Sequence, residues 1–231
     1  MYIYYPSCSF NRIDAVSAKA LVQYARSQGM EVAGCCHYDK HSPEDGTGIY
    51  FCQACRETIE KKEFQTKSFW EIINEDPDFV FPDYTGMHVS LQDCWRDRSH
   101  PEIHDAVRSL LMKMHINYEE AAFSREHSIY CGTLHFETQK HKDTVDQVDH
   151  ISHLGEHTRK MLMKENVESY PVQPVVCTCC RCYNGILTGE GHPIHLMTLL
   201  MDGYRGREAE LEAHAIELIS LPDPRDQWRR H

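Results

Sequence analysis

Short apolar runs alternate with stretches of helical periodicity in the first third of the chain. The runs predict three strands, at residues 3–5, 30–33 and 49–51. Between the first two, Asp14 can cap a helix whose apolar positions recur about every 3.6 residues and which Gly29 can end. Two shorter helices are predicted after the third strand, at residues 52–59 and 68–74.

The same order of elements returns further along the chain. Apolar runs predict strands at residues 88–91 and 174–176. Ser99 is placed to cap the helix that follows the first of these. The remaining helices are predicted at 136–166, a long and highly charged segment, at 195–201 and at 207–219, before a tail at 221–231.

Strands that alternate with helices predict an α/β fold in which two related modules each carry a small, largely parallel sheet. Binding sites in such sheets lie at the carboxyl ends of the strands. Every group of cysteines except Cys131 directly follows a predicted strand. The sulfurs can therefore converge, and we expect metal sites at these strand ends.

Composition narrows the class of protein. The 231 residues carry 24 basic and 35 acidic side chains, a net charge of −11, which argues against a nucleic-acid partner. An apolar run long enough to span a membrane is absent, and the N-terminus lacks the basic region of a signal peptide, so we predict a cytoplasmic protein. The 11 cysteines then indicate metal or redox chemistry rather than a disulfide framework.

The cysteine positions repeat along the chain. Cys52 and Cys55 precede Cys179 and Cys182 by 127 residues, and at the same offset apolar positions such as Ile59 and Ile186 coincide. Earlier cysteines have smaller offsets, 86 from Cys8 to Cys94 and 95 from Cys36 to Cys131, so the second copy is longer. We therefore predict a first module at residues 1–83, a second at 84–203, and a C-terminal helix and tail at 204–231.

Thiolates are soft metal ligands, and two C-x-x-C pairs in register with further cysteines favour ligation. Four sulfurs suit tetrahedral zinc or an iron–sulfur cluster. The first module offers Cys8, Cys35, Cys36, Cys52 and Cys55. The second offers Cys94, Cys131, Cys179 and Cys182. Cys177 and Cys180 also form a C-x-x-C, so which cysteines of this group bind metal stays open, although the repeat offset favours Cys179 and Cys182.

Other polar residues have two interpretations each. His37 either supplements the first ligand set or faces solvent in a loop. His150, His153 and His157 have helical spacing, and their common face either binds a metal or is a solvated face. Asp93 and Arg96 beside Cys94 either bind a substrate or form a surface ion pair.

These cysteines resemble the pattern of the cysteine-rich CCG domain. In that pattern a single cysteine follows a strand, a Cys-Cys pair comes next and a C-x-x-C ends the module. The first copy reads Cys8, Cys35-Cys36-His37 and Cys52-Gln53-Ala54-Cys55, and the second reads Cys94, Tyr130-Cys131-Gly132 and Cys179-Cys180-Arg181-Cys182. The chain departs from the family pattern at two positions. His37 stands where the family has glycine, and Tyr130 replaces a cysteine. The resemblance covers about residues 1–203.

The CCG domain occurs twice in one of the subunits of heterodisulfide reductase, and it occurs in the iron–sulfur subunits of glycolate, lactate and glycerol-3-phosphate oxidising systems. The resemblance implies a [4Fe–4S]-type cluster on the first cysteine set, and zinc or a conventional cluster on the second. It implies an oxidoreductase subunit that reduces a disulfide or transfers electrons to other subunits of a redox complex, while catalysis itself stays open. The alternatives are a zinc-stabilised interaction module without catalysis and a metal-free dithiol protein.

Overall fold

A computed structural model describes residues 1–205, which form two compact units. Unit 1 contains Met1–Tyr50, Cys55–Lys67 and, near the end of the described chain, Tyr204 and Arg205. Unit 2 contains Phe51–Ala54 and Ser68–Gly203. The helix predicted at 207–219 and the tail at 221–231 lie outside the described residues.

The sheet of the N-terminal region has the strand order β2-β1-β3-β4. Its strands are β1 (Tyr2–Tyr4), β2 (Glu31–Val32), β3 (Thr47–Tyr50) and β4 (Thr66–Ser68). The helices of this region are α1 (Cys8–Ile13), α2 (Ala15–Ser27) and α3 (Gln53–Glu60). The next helix, α4 (Phe69–Glu75), belongs to unit 2. The predicted start of α2 is confirmed, because the Ser17 backbone N–H donates to Asp14 Oδ1 at 3.0 Å. Gly29 follows this helix in the left-handed region, with φ of +71°.

Unit 2 contains a second four-stranded sheet, a two-stranded hairpin and the helices around them. The sheet strands are β5 (His88–Gln92), β6 (Asn117–Glu120), β9 (Val175–Cys177) and β10 (Pro193–His195), and β7 (Tyr130–Cys131) pairs antiparallel with β8 (His135–Phe136). The helices are α5 (Pro101–Lys113), α6 (Lys142–Val145), α7 (Glu156–Glu168), α8 (Cys180–Thr188) and α9 (Leu196–Met201).

The two sheets have equivalent strand orders. The second sheet is ordered β10-β9-β5-β6, so in both sheets the first strand lies between the second and the third, and the fourth follows the third. The 127-residue offset carries Thr66–Ser68 onto Pro193–His195, which are β4 and β10. The offset read from the cysteines therefore also relates strands of the same position in the two sheets, and the predicted α/β class with small parallel sheets is confirmed.

The long helix predicted at 136–166 is wrong. Residues of this segment form β8, the short α6, a 3-10 turn at Ile151–His153 and only then α7. The reason is tertiary: the Ile151 N–H donates to Leu134 O at 3.2 Å and the Ser152 N–H to Thr133 O at 2.8 Å, so the chain folds back on the β7–β8 hairpin. Ile151 is thereby buried in the core.

Two smaller differences have local causes. Helix α5 begins at Pro101 after His100 rather than after Ser99, because the fixed φ of proline suits the first helical position. The sequence does not predict strand β6, because its residues Asn-Tyr-Glu-Glu are polar, as its exposed position at the sheet edge allows. Among the described residues, no helix has both the length and the apolar character needed to cross a membrane.

Helix α5 provides a matched test of the core of unit 2. The Leu110 side chain is fully buried, whereas that of Met112 on the same helix is 61% exposed. We expect Leu110→Ala to lower the free energy of unfolding by about 2–5 kcal/mol, because it removes buried methyl groups and leaves a cavity. Met112→Ala should change it by less than about 0.5 kcal/mol. Urea unfolding monitored by circular dichroism checks both, and equal effects would contradict the burial of this helix face.

Candidate metal centre

Four cysteines of unit 2 lie together where the hairpin meets the start of helix α8. Cys94 follows β5, Cys131 ends β7, Cys179 is the N-cap residue of α8 and Cys182 lies in its first turn. Their Sγ atoms all lie within 4.8 Å of one another, and all four side chains are buried. The four cysteines can therefore hold a metal ion.

The contacts within the group are short. The sulfurs of Cys94 and Cys131 are 3.3 Å apart. Cys182 Sγ lies 3.9 Å from the backbone oxygen of Tyr130, so it also contacts the hairpin. Each side chain is at most 2% exposed, so water does not solvate the sulfurs.

The four thiols do not ionise alike when they have only one another as partners. The pKa of Cys179 lies well below its usual value because the thiols of Cys131, Cys182 and Cys94 donate hydrogen bonds to it. Burial raises the pKa of Cys94 and of Cys182, and the contact with Cys179 raises that of Cys131. Contacts within the group therefore favour the thiolate only at Cys179, whereas a bound cation favours deprotonation of all its ligands.

Gly132 allows the hairpin to approach α8. Its φ is +51°, and a Cβ atom at this position would lie 1.7 Å from the backbone oxygen of Arg181. Gly185 on α8 is similarly confined, since its Cβ would lie 2.1 Å from the Tyr130 hydroxyl. That hydroxyl donates to Met163 Sδ at 3.1 Å. Because Gly132 on the hairpin and Gly185 on α8 lack side chains, the two elements pack closely and Cys131 lies near Cys182.

The other two cysteines of the 177–182 segment point elsewhere. Cys177 Sγ lies 3.8 Å from the backbone oxygen of Ile194, and Cys180 Sγ lies 3.9 Å from His195 Nε2. Neither belongs to the compact group of four sulfurs. Of the two overlapping C-x-x-C pairs, the structure therefore brings Cys179 and Cys182 into the group, as the repeat offset favours, while their binding of a metal stays a prediction.

Four cysteines of the first predicted set belong to unit 1 and form a chain of contacts. The thiols of Cys36 and Cys55 are hydrogen-bonded, as are those of Cys35 with both Cys36 and Cys8. The hydrogen bond from Cys55 is the main cause that lowers the pKa of Cys36 to about 6; the charge of His37 contributes as well. Cys52 belongs to the short segment 51–54 of unit 2. None of the eleven cysteines, all within residues 1–205, forms a disulfide bond.

The two cysteine groups differ in their access to open space. A cavity of about 520 Å³ in unit 1 is lined by Cys8 and Cys35, with Phe10 and Arg12 among the other lining residues. A cavity of about 570 Å³ lies beside the hairpin of unit 2, and Tyr130 lines it, but none of the four grouped cysteines does. Two thiols of unit 1, those of Cys8 and Cys35, thus border a cavity, while the four grouped thiols of unit 2 are enclosed by protein.

The structure shows where the histidines singled out in the sequence lie. His37 is exposed beside Cys36. The expectation that His150, His153 and His157 share a helical face is wrong, because His150 precedes a 3-10 turn, His153 is the last residue of that turn, and only His157 lies on α7.

Asp93 does not form a surface ion pair. It is buried and pairs with Arg108 through Oδ2···Nη2 at 2.6 Å. Sequence reasoning missed Arg108 and the part that Gly132 plays in the close approach. A glycine directly after a candidate ligand was the one available signal, because such a position often requires left-handed backbone.

Comparison of the chain with protein-family models, with curated proteins and with solved structures finds no match.

We predict that Gly132→Ala disrupts the four-cysteine group. The added methyl meets the Arg181 carbonyl, so the hairpin has to move away from α8 and Cys131 away from Cys182. Gly29→Ala is the matched control, because Gly29 also has a positive φ but its added methyl would have no other atom within 4 Å. We expect only the control to keep the wild-type metal content, measured by elemental analysis, with a loss of stability of about 1–2 kcal/mol from its backbone strain alone.

Proposed function

We propose that unit 2 holds one zinc-type ion on Cys94, Cys131, Cys179 and Cys182. The observation that carries this proposal is the separation of their sulfurs, none greater than 4.8 Å. Four thiolates at about 2.3 Å from one ion lie about 3.8 Å from one another. The sulfurs therefore need to move only slightly closer together to reach the spacing of a zinc site. A [4Fe–4S] cluster places four irons and four sulfides between its cysteines and needs a wider group.

The proposed role of this ion is structural. Zinc sites with four protein ligands and no open position hold folds together, whereas catalytic sites keep a position for water or substrate. The four sulfurs are enclosed, and they come from a strand end, a hairpin and a helix start that are far apart in the sequence. An ion bound there stabilises unit 2 by cross-linking these elements.

Alanine substitutions separate ligands from spare cysteines. Cys94→Ala should reduce zinc from one ion per chain to a small fraction of that, because three sulfurs leave the site incomplete. Cys177→Ala is the matched control, because it also removes one buried sulfur from the protein. Cys177 lies outside the group of four. Elemental analysis after chelator treatment measures both. Equal zinc in the two variants would reject the ligand assignment.

A second function is favoured by the cysteines of unit 1. We propose that they carry redox chemistry of the kind that the CCG-domain resemblance implies. Cys8, Cys35, Cys36 and Cys55 supply the four thiols that a [4Fe–4S]-type cluster needs. When bound, such a cluster supplies one-electron transfer. The remaining predicted ligand, Cys52, lies in segment 51–54 of unit 2.

The surroundings of these thiols support a reactive role. Cys8 and Cys35 line a cavity that also contains the cations Arg12 and Lys19, so an anionic disulfide can be attracted there. Cys36 has a pKa of about 6 and is already a thiolate at neutral pH, which suits both ligation and reaction. The partners in this proposal are a disulfide substrate or other subunits of a redox complex.

Anaerobic purification tests this second proposal. We expect a brown protein with acid-labile sulfide, and we expect Cys36→Ala to lose colour and sulfide while keeping its zinc. Cys180→Ala is the control, because Cys180 has a similarly buried thiol that belongs to neither group. A colourless wild-type protein that contains one zinc and no iron would instead favour the zinc-stabilised interaction module without catalysis.

A further inference from the structure

A buried ion-pair network lies directly beside the first ligand of the proposed metal centre. Asp93 precedes Cys94 in the chain and is only 2% exposed, and its partner Arg108 on α5 is 4% exposed. Arg108 donates to both carboxylate oxygens of Asp93, at 3.0 and 2.6 Å. It also donates Nε and Nη2 to the two carboxylate oxygens of Glu120, at 2.8 and 2.6 Å. The guanidinium thus fixes the orientation of the Asp93 side chain by a paired, planar contact.

Asp93 links two of the chain segments that supply ligands. Its Oδ2 accepts the backbone N–H of Arg125 at 2.8 Å. Its backbone oxygen accepts the hydroxyl of the buried Ser128 at 2.7 Å. Both contacts belong to the segment that leads directly into β7 and Cys131. Asp93 therefore joins the turn that carries Cys94 to the approach to Cys131.

The backbone of this segment is under strain. Arg125 has a φ of +55°, a left-handed conformation that a non-glycine residue keeps only when its surroundings hold it. The hydrogen bond to Asp93 fixes the backbone N–H of Arg125, and Asp93 in turn depends on Arg108 for its orientation and for the neutralisation of its buried charge. Loss of Arg108 would leave a buried carboxylate without its cation and release the strained turn.

We infer that the Asp93–Arg108–Glu120 network positions Cys94 and Cys131 and thereby sets how tightly unit 2 holds its metal ion. This inference rests on the proposed metal site of unit 2. Arg108 is a positioning residue, because it acts on the ligands through Asp93. Partners of this kind, which hold ligands in place, commonly affect metal affinity by about 10–100-fold.

Arg108→Lys is the principal test, because lysine keeps the charge but lacks the paired donors. We expect it to weaken zinc binding about 10–100-fold in competition with a chromophoric chelator. We also expect the visible spectrum of the Co²⁺-substituted protein to depart from that of a tetrahedral four-thiolate site. Arg26→Lys is the control for the same chemical change, because Arg26 is exposed on helix α2 of unit 1 and is not part of this network. Zinc affinity and spectrum of this control should match the wild type.

A second variant keeps the test decisive if Arg108→Lys fails to fold. The Glu120 side chain is 40% exposed, so Glu120→Gln removes charge from the network with little risk to the core. We expect a smaller loss of zinc affinity in the same direction. Folded variants with wild-type zinc affinity and Co²⁺ spectrum would overturn this inference but leave the proposed metal site standing. A wild-type protein that binds neither Zn²⁺ nor Co²⁺ would overturn the proposed metal site and the inference with it.

Discussion

Unit 2 has to bury four ionisable sulfurs at one point, and this requirement governs the structure around them. Hydrogen bonds within the group lower the pKa of Cys179, but they and burial raise the pKa of its three neighbours. Protonated thiols are poor metal ligands, and four thiolates without a cation would repel one another strongly in a buried site. A divalent ion bound there would resolve both difficulties, and its binding would then be coupled to the folding of this region.

The ligands reach this point because of the parallel sheet. Parallel strands end at the same edge, and the residues after β5 and β9 are Cys94 and the segment that begins α8. The hairpin then needs a close approach to α8, which Gly132 and Gly185 permit because they lack side chains. The Asp93–Arg108 pair holds the opposite side of the hairpin approach. Each part of the centre therefore depends on a contact between segments that are distant in sequence.

This dependence explains what could be predicted from the sequence. The cysteine repeat favoured Cys179 and Cys182, and the structure brings these two into one group with Cys94 and Cys131. Strands β4 and β10 were not predicted, because their three-residue sequences are short and mostly polar, although the 127-residue offset relates them. The fold-back of Ile151 onto the hairpin could not be predicted, because its charged surroundings have helical composition and only tertiary hydrogen bonds oppose that tendency. The pairing of Asp93 with Arg108 was equally hidden, since nothing in the local pattern marks one arginine among many as buried.

The two cysteine groups give the same kind of side chain different chemistry. In unit 2 the sulfurs are enclosed and compact, which favours holding one ion without exchange. In unit 1 Cys8 and Cys35 line a cavity, and Lys62 fixes the neighbouring loop by donating to the Cys36 carbonyl at 2.8 Å. Cys36 itself is buried, and its thiolate is stabilised by hydrogen bonds from neighbouring thiols. Exposure of Cys8 and Cys35 to a cavity, more than cysteine number, therefore distinguishes the unit 1 cysteines from the enclosed group of unit 2.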